Sequence, residues 1–146
     1  MAPRNPEPNG PAFTISVDAR QGVTSGISAN DRARTIAAMI DPQTTSADIV
    51  MPGHLFPLRY AEGGVLRRRG HTEASVDLLK LAGMYPAAVI CEVMAPDGTM
   101  ARGAELADFA LSHDICAITM EQIVDHYRRQ CTLDPVLERL SVAARP

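Results

Sequence analysis

The stretch Gly63-Gly-Val-Leu-Arg-Arg-Arg-Gly-His-Thr-Glu sets three consecutive arginines, Arg67, Arg68 and Arg69, directly ahead of Gly70, His71 and Thr72, where an apolar helical pattern begins. A helix N-terminus offers unpaired N–H groups and a partial positive charge, so it receives phosphate well. An arginine just ahead adds a bidentate grip on that phosphate. Thr72 is the expected N-cap, and Gly70 lets the backbone turn tightly before it. A capped helix behind a solvated basic loop explains the same pattern, and on pattern alone it is slightly favoured. His71 has the chemistry of a metal ligand or a general base, but a metal site needs several ligands. No His-x-x-x-His spacing or carboxylate cluster lies near it, so co-ligands would have to come from distant sequence or from another chain.

Two further residues have suitable chemistry. In Ala87-Ala-Val-Ile-Cys-Glu-Val-Met94, strand alternation places Ala88, Ile90, Glu92 and Met94 on one face. A carboxylate between Ile90 and Met94 is expected to be partly desolvated, which raises its pKa and suits acid/base work near neutrality. A solvated face at a sheet edge is an equal alternative. His54, in Met51-Pro-Gly-His-Leu-Phe-Pro57, reads as part of a proline-bracketed turn, either held rigidly for catalysis or simply packed. Asp97 in the Pro-Asp-Gly-Thr turn reads as structural. Asp31, Arg32 and Arg34 read as solvent-facing on the first turns of their helix.

Something must position these residues. The 146-residue chain is one domain's worth. With 46% apolar and 21% charged residues it has an ordinary globular balance. A net charge of −3, aromatics at 4% and no tryptophan argue against general nucleic-acid affinity. Cys91, Cys116 and Cys131 are odd in number and widely spaced, so reduced thiols in a cytoplasmic protein are expected rather than a disulfide framework or zinc site. No run approaches a membrane span, and there is no apolar signal-peptide segment.

Residues 1–11 carry four prolines and read as an extended lead-in. Phe13, Ile15 and Val17 alternate with Thr14 and Ser16 as in a half-buried strand. A helix is expected from Ser28 to Ile40, with Asp31 in capping-box fashion, Ile36, Met39 and Ile40 as its buried stripe and Pro42 as its stop. Further helices are expected at about 72–82, closed by Gly83, at 105–113, and from a Thr119/Gln122 cap to about Arg129. Strands are expected at 87–94 and 115–119. The fold class is therefore α/β (α+β), a mixed sheet covered by helices.

These segments also carry a resemblance. Phe13-Thr-Ile-Ser-Val-Asp-Ala-Arg-Gln-Gly-Val-Thr-Ser-Gly-Ile-Ser-Ala-Asn-Asp-Arg, the Met51-Pro-Gly-His54 segment, the 63–83 stretch and Ala87–Arg102 closely resemble 3,4-dihydroxy-2-butanone 4-phosphate synthase, in that family's order and spacing from about Asn5 to Tyr127. The resemblance implies conversion of ribulose 5-phosphate to 3,4-dihydroxy-2-butanone 4-phosphate and formate in riboflavin biosynthesis, with magnesium or manganese. It also implies a homodimer with active sites at the subunit interface. By the same resemblance, Arg68, Arg69, Gly70, His71 and Thr72 hold the sugar phosphate and His71 binds metal. Glu92 contacts substrate and is needed for catalysis, and His54 is the essential histidine. Arg69 stands where the family often has a small residue.

The family's acidic loop, of the type Arg-Glu-Asp-Glu-Gly-Asp, has no counterpart between Met1 and Phe13. Residues 12–130 thus read as a C-terminal portion of that domain, and 131–146 as a tail resembling the linker to a GTP cyclohydrolase II domain. Met1 falls where the family often has an internal methionine, so a truncated or wrongly started reading frame is one explanation. The chain alone is expected to turn over poorly. The rival readings are a non-catalytic remnant that binds phosphate or serves assembly, and one half of a split enzyme.

Overall fold

The computed structural model describes residues 12–133, with side chains described as far as residue 130. The lead-in (1–11) and most of the tail (131–146) lie outside the described residues. The chain divides after Tyr60 into two compact units.

The first unit holds β1 (Val17–Ala19), α1 (Ala29–Ile40), a 3₁₀ turn (Ser46–Asp48) and β2 (Ile49–Leu55). β1 and β2 form an antiparallel pair with a broken register. Ala19 pairs with Ile49 and Asp18 with Val50, but Val17 pairs with Leu55, so residues 51–54 bulge out of the ladder. Such an insertion re-aims the side chains it carries. Here it carries His54 and the cis Met51–Pro52 peptide. The bulge is tied back where Gly53 N–H donates to the Ser16 carbonyl (3.0 Å) and hydroxyl (3.2 Å). His54 therefore sits in a strand bulge rather than a free-standing turn. The strand expected from Phe13 starts later: Phe13 makes only an isolated bridge with Leu58, and Phe13 and Ile15 are exposed.

α1 begins as expected, with Ser28 Oγ accepting the Asp31 N–H (3.1 Å), and it ends at Ile40 ahead of Pro42. Its buried face is not the expected one. Asp31 and Thr35 are buried, whereas Met39 and Ile40 are exposed and Ile36 is half-buried. Hydrogen-bond demand chooses the face. Ala19 N–H, at the end of β1, donates to Thr35 Oγ1 (3.0 Å), and Thr35 in turn donates to the Asp31 carbonyl (3.0 Å). The Asp31 carboxylate does not return to the Ser28 backbone. It accepts from Thr24 N–H (3.1 Å), the Thr24 hydroxyl (2.9 Å) and Gly26 N–H (3.0 Å), folding the loop before α1 onto the helix. Arg32 and Arg34 are exposed as expected; Asp31 is the exception.

The second unit contains α2 (Gly64–Arg67), α3 (His71–Leu81), α4 (Ala104–Ser112) and α5 (Met120–Leu133). Its apolar cluster is small: Val65, Ala74, Ile123 and Val124, flanked by Leu66, Met120 and Tyr127. α3 closes as expected at Gly83, whose φ of +67° lets Gly83 N–H reach the Lys80 carbonyl (3.1 Å) and Met84 N–H the Leu79 carbonyl (2.9 Å). α5 opens with the expected reciprocal cap between Thr119 and Gln122.

The α+β class is as expected; among the described residues the sheet is an antiparallel pair rather than a mixed, helix-covered sheet. Neither 87–94 nor 115–119 is a strand. A strand needs ladder partners for its N–H and C=O groups, and among the described residues none flanks these segments. The only pairing is local, an isolated Met94–Met100 bridge across the 96–99 turn. Asp97 caps that turn, accepting from Thr99 N–H (2.9 Å) and its hydroxyl (2.7 Å), so its structural role holds. Among the described residues, no helix is long and apolar enough to cross a membrane.

Asp31 gives this fold a pH dependence. Burial pushes its carboxyl up, but the bonds from Thr24, Gly26 and Ser28 outweigh burial and hold it below the usual carboxylate value. A carboxylate depressed on folding contributes stability that is complete above its unfolded pKa, about 3.9, and is lost as pH falls through the folded value. Asp31→Asn, which turns an amide donor toward backbone donors, is expected to lower the urea midpoint followed by circular dichroism at pH 7. Its deficit against the parent chain should narrow as pH drops below about 4. A deficit constant from pH 7 to pH 3 would contradict this account.

Candidate functional site

The arginine run and the helix it precedes are organised by two carboxylates one turn apart on α3. Asp77, buried, accepts Val65 N–H (2.8 Å), and the Tyr127 hydroxyl donates to the Asp77 carbonyl (3.2 Å), so α2 and α5 both dock on this turn. Glu73 is 1% exposed. It accepts Ala61 N–H (3.2 Å) through Oε1 and pairs with Arg68 Nη1 (2.6 Å) through Oε2. Arg68 is thus tied into the floor beneath the α3 mouth rather than waving in solvent. Gly70 suits the same pair: a Cβ there would overlap the Arg68 guanidinium and the Glu73 carboxylate and push them apart from their present positions.

The N-cap of α3 is Gly70, not Thr72, and no side chain caps it. His71 and Thr72 are the first helical residues instead, which leaves the leading N–H groups without a side-chain partner. His71 and Arg69 are exposed and Thr72 is half-buried. Glu92 lies on the irregular 86–93 segment and is exposed, so the desolvation expected from Ile90 and Met94 is absent. Without a ladder to flatten the segment into a sheet face, its alternating side chains have nothing to bury against. Among the described residues, the side chains of His71 and Glu92 make no hydrogen bond or ion pair with protein.

In the first unit, His54 meets a partner that sequence reading did not single out. His54 Nδ1 lies 2.7 Å from Asp18 Oδ2, and His54 N–H donates to Asp18 Oδ1 (3.0 Å). These backbone and side-chain bonds from His54 hold the Asp18 carboxyl below its ordinary value. Asp18, Glu73 and Asp77 were all missed. For the last two a signal existed: Glu73 lies i,i+3 from Val76 and Ala74 i,i+3 from Asp77, which puts both acids on the helix face that carries those apolar residues.

The structure therefore brings Arg68, Gly70, His71 and Thr72 together at one helix mouth, with Arg69 beside them, and gives His54 a carboxylate of its own. A metal test fails on the same geometry. Among the described residues, no group of three or more His, Cys, Asp or Glu side chains is placed to hold an ion. His71 stands alone, and one imidazole does not fit a hard cation that demands several oxygens.

Comparison with known proteins adds a second line of observation. The sequence model of the 3,4-dihydroxy-2-butanone 4-phosphate synthase family matches residues 1–126. The chain is 52% identical to 3,4-dihydroxy-2-butanone 4-phosphate synthase of Shewanella pealeana, the match covering 89% of this chain and 61% of that protein. It is 49% identical to riboflavin biosynthesis protein RibBA of Aquifex aeolicus, over 100% of this chain and 36% of that one. A crystal structure of 3,4-dihydroxy-2-butanone 4-phosphate synthase in complex with two magnesium ions superposes with a TM-score of 0.77 at 37% identity, covering 88% of this chain and 65% of that one. The chain thus spans only part of each of these relatives.

Arg68→Ala would leave the buried Glu73 carboxylate with Ala61 N–H as its one bond among those described above. The expected loss of unfolding free energy is about 1–3 kcal/mol. Arg69→Ala, at an exposed side chain, should stay within about 0.5 kcal/mol of the parent. Equal urea midpoints for the two variants would show that the Arg68–Glu73 pair does not hold this mouth together.

Proposed function

We propose, since the chain belongs to the 3,4-dihydroxy-2-butanone 4-phosphate synthase family, that it supplies the phosphate-holding and proton-transfer side of a carbon–carbon lyase site in riboflavin biosynthesis. The substrate is ribulose 5-phosphate and the products are 3,4-dihydroxy-2-butanone 4-phosphate and formate. The observation that carries the reading is the uncapped α3 mouth anchored by Arg68 on buried Glu73. Phosphate suits such a mouth because the first N–H groups and the helix dipole both favour an anion. Arg68, Arg69, Gly70, His71 and Thr72 form the phosphate-holding segment. His54 moves a proton on the sugar, and Glu92 contacts the substrate as the second acid/base group. The protein works as a cytoplasmic homodimer, with sites at the subunit interface.

A divalent ion, magnesium or manganese, would polarise the ketose and stabilise the enediolate in the complete site. His71 is this chain's one candidate ligand. Because the described residues do not form a metal site around it, no step is assigned through the ion on this chain's own residues. The carboxylates needed are those that the family resemblance places on the acidic loop.

A second reading, one half of a split enzyme, accounts equally for the irregular segments 86–93 and 115–119. Among the described residues these have no strand partners, and they expose Val89, Ile90, Ile115 and Ile118. The acidic-loop portion of the family domain, on the same or a separate polypeptide, would complete both the sheet and the metal site.

The test is formate release from ribulose 5-phosphate with magnesium. The 146-residue chain alone is expected to give no turnover above background. Turnover should appear when the acidic-loop portion of the family domain is supplied, either fused upstream or as a separate polypeptide. Robust formate release by the chain alone would show the acidic loop to be dispensable. No release in any combination would favour a non-catalytic phosphate-binding remnant.

A further inference from the structure

We propose that Asp18 is a positioning residue for His54: it fixes the imidazole in the Nδ1–H tautomer and leaves Nε2 as the proton-accepting nitrogen.

Both oxygens of Asp18 are committed to the same residue. Oδ1 takes the backbone N–H of His54 (3.0 Å) and Oδ2 faces the ring Nδ1 (2.7 Å). An ionised carboxylate can only accept, so with a neutral ring the Nδ1 must carry the proton. The depressed Asp18 carboxyl keeps that acceptor ionised across the neutral range. Nε2 then holds the lone pair. It makes no hydrogen bond among the described residues, and the His54 side chain is 43% exposed, so solvent or a ligand can reach it.

The backbone is arranged around this contact. The β1–β2 register breaks between Val17 and Asp18, the position from which the 51–54 bulge departs. That break brings together two residues 36 apart in sequence. The third wall is the loop before α1. Gly26, at φ +84°, lies so close that a Cβ would overlap the Asp18 carboxylate and the His54 ring. Gly26 is itself held by its N–H bond to buried Asp31. A generic surface clasp would not need a strand bulge on one side and an acid-anchored glycine loop on the other. The dyad has the logic of a carboxylate that orients an imidazole, in which the acid sets tautomer and direction and the ring moves the proton.

The proposal rests on the reading of His54 as a proton-transfer residue, but its first test does not. In the 146-residue chain, labelled with ¹⁵N-histidine and held at a pH where its histidines are neutral, His54 is assigned by the signal lost in His54→Gln. The expected pattern is a protonated, pyrrole-like Nδ1 and a pyridine-like Nε2. In Asp18→Asn, the side-chain oxygen keeps the His54 backbone N–H and the amide NH₂ turns to the ring. Nδ1 must then accept, and the two ¹⁵N signals should exchange character. A parent chain with His54 in the Nε2–H form overturns the proposal without any variant. So does an Asp18→Asn chain with native circular dichroism and an unchanged tautomer.

The second arm uses the chain supplied with the acidic-loop portion. Asp18→Asn should lower kcat for formate release by about 100-fold or more, leaving KM for ribulose 5-phosphate close to the parent value. Loss in His54→Gln but none in Asp18→Asn would overturn the role of Asp18 while the reading of His54 stands. No loss in either would overturn the reading of His54, and with it the catalytic meaning of the dyad.

Discussion

Carboxylates bonded to backbone N–H groups are the constraint on which this structure depends. The apolar cluster of the second unit has only Val65, Ala74, Ile123 and Val124 at its centre, while Asp31, Glu73 and Asp77 are buried to a similar degree. Each buried acid is satisfied by amide donors from a neighbouring segment: Asp31 by Thr24 and Gly26 of the loop before α1, Glu73 by Ala61, and Asp77 by Val65 of α2. No buried side-chain polar atom among the described residues is left without a partner. An unpaired buried carboxylate would be costly, so these acids are acceptable only in the geometry that closes the loops. Hydrophobic burial is non-directional, whereas an acid holding a particular amide sets the course of a particular loop. The loops so fixed are those that lead into the candidate site.

This division explains what the sequence made legible. Helix boundaries came through well because their signals are local. Ser28 caps α1, Thr119 and Gln122 cap α5, Gly83 ends α3, and Pro42 follows the end of α1. The helix mouth at Gly70-His71-Thr72 was legible for the same reason, although the cap fell on Gly70. Gly70 is there because two charged groups crowd its Cα, and that is a tertiary fact. The buried face of α1 was misread because apolar periodicity pointed to Ile36, Met39 and Ile40, while an unpaired amide on Ala19 drew Thr35 inward. Asp18 was invisible as a partner of His54, since a separation of 36 residues across a broken register leaves no periodic trace.

Strand prediction failed where pairing, rather than side-chain pattern, decides. The sequences 87–94 and 115–119 have the composition of strands, yet the only strand pair among the described residues is β1–β2. β-propensity describes fit to a pleated, half-buried surface, so it has no content until neighbours supply that surface. In these irregular segments Val89 is 71% exposed and Ile90, Ile115 and Ile118 are also open to solvent. Their sequences are written for partners that the described residues do not provide.

The candidate residues therefore differ in how firmly they are held, and the difference bears on chemistry. A group contributes most to a reaction when its geometry is set before substrate arrives. His54 is set by a carboxylate, a backbone bond and a glycine wall, and the α3 mouth by Arg68, Glu73 and Ala61. Glu92 has none of this. It sits on an exposed segment whose nearest backbone constraint is the bond from Ala101 N–H to the neighbouring Val93 carbonyl (2.9 Å), beside the Met94–Met100 bridge. The α3 mouth and the His54–Asp18 pair are thus built into the local structure of their own units. The placement of Glu92 is therefore not fixed by any hydrogen bond of its side chain or any ladder among the described residues, in contrast to His54 and the α3 mouth.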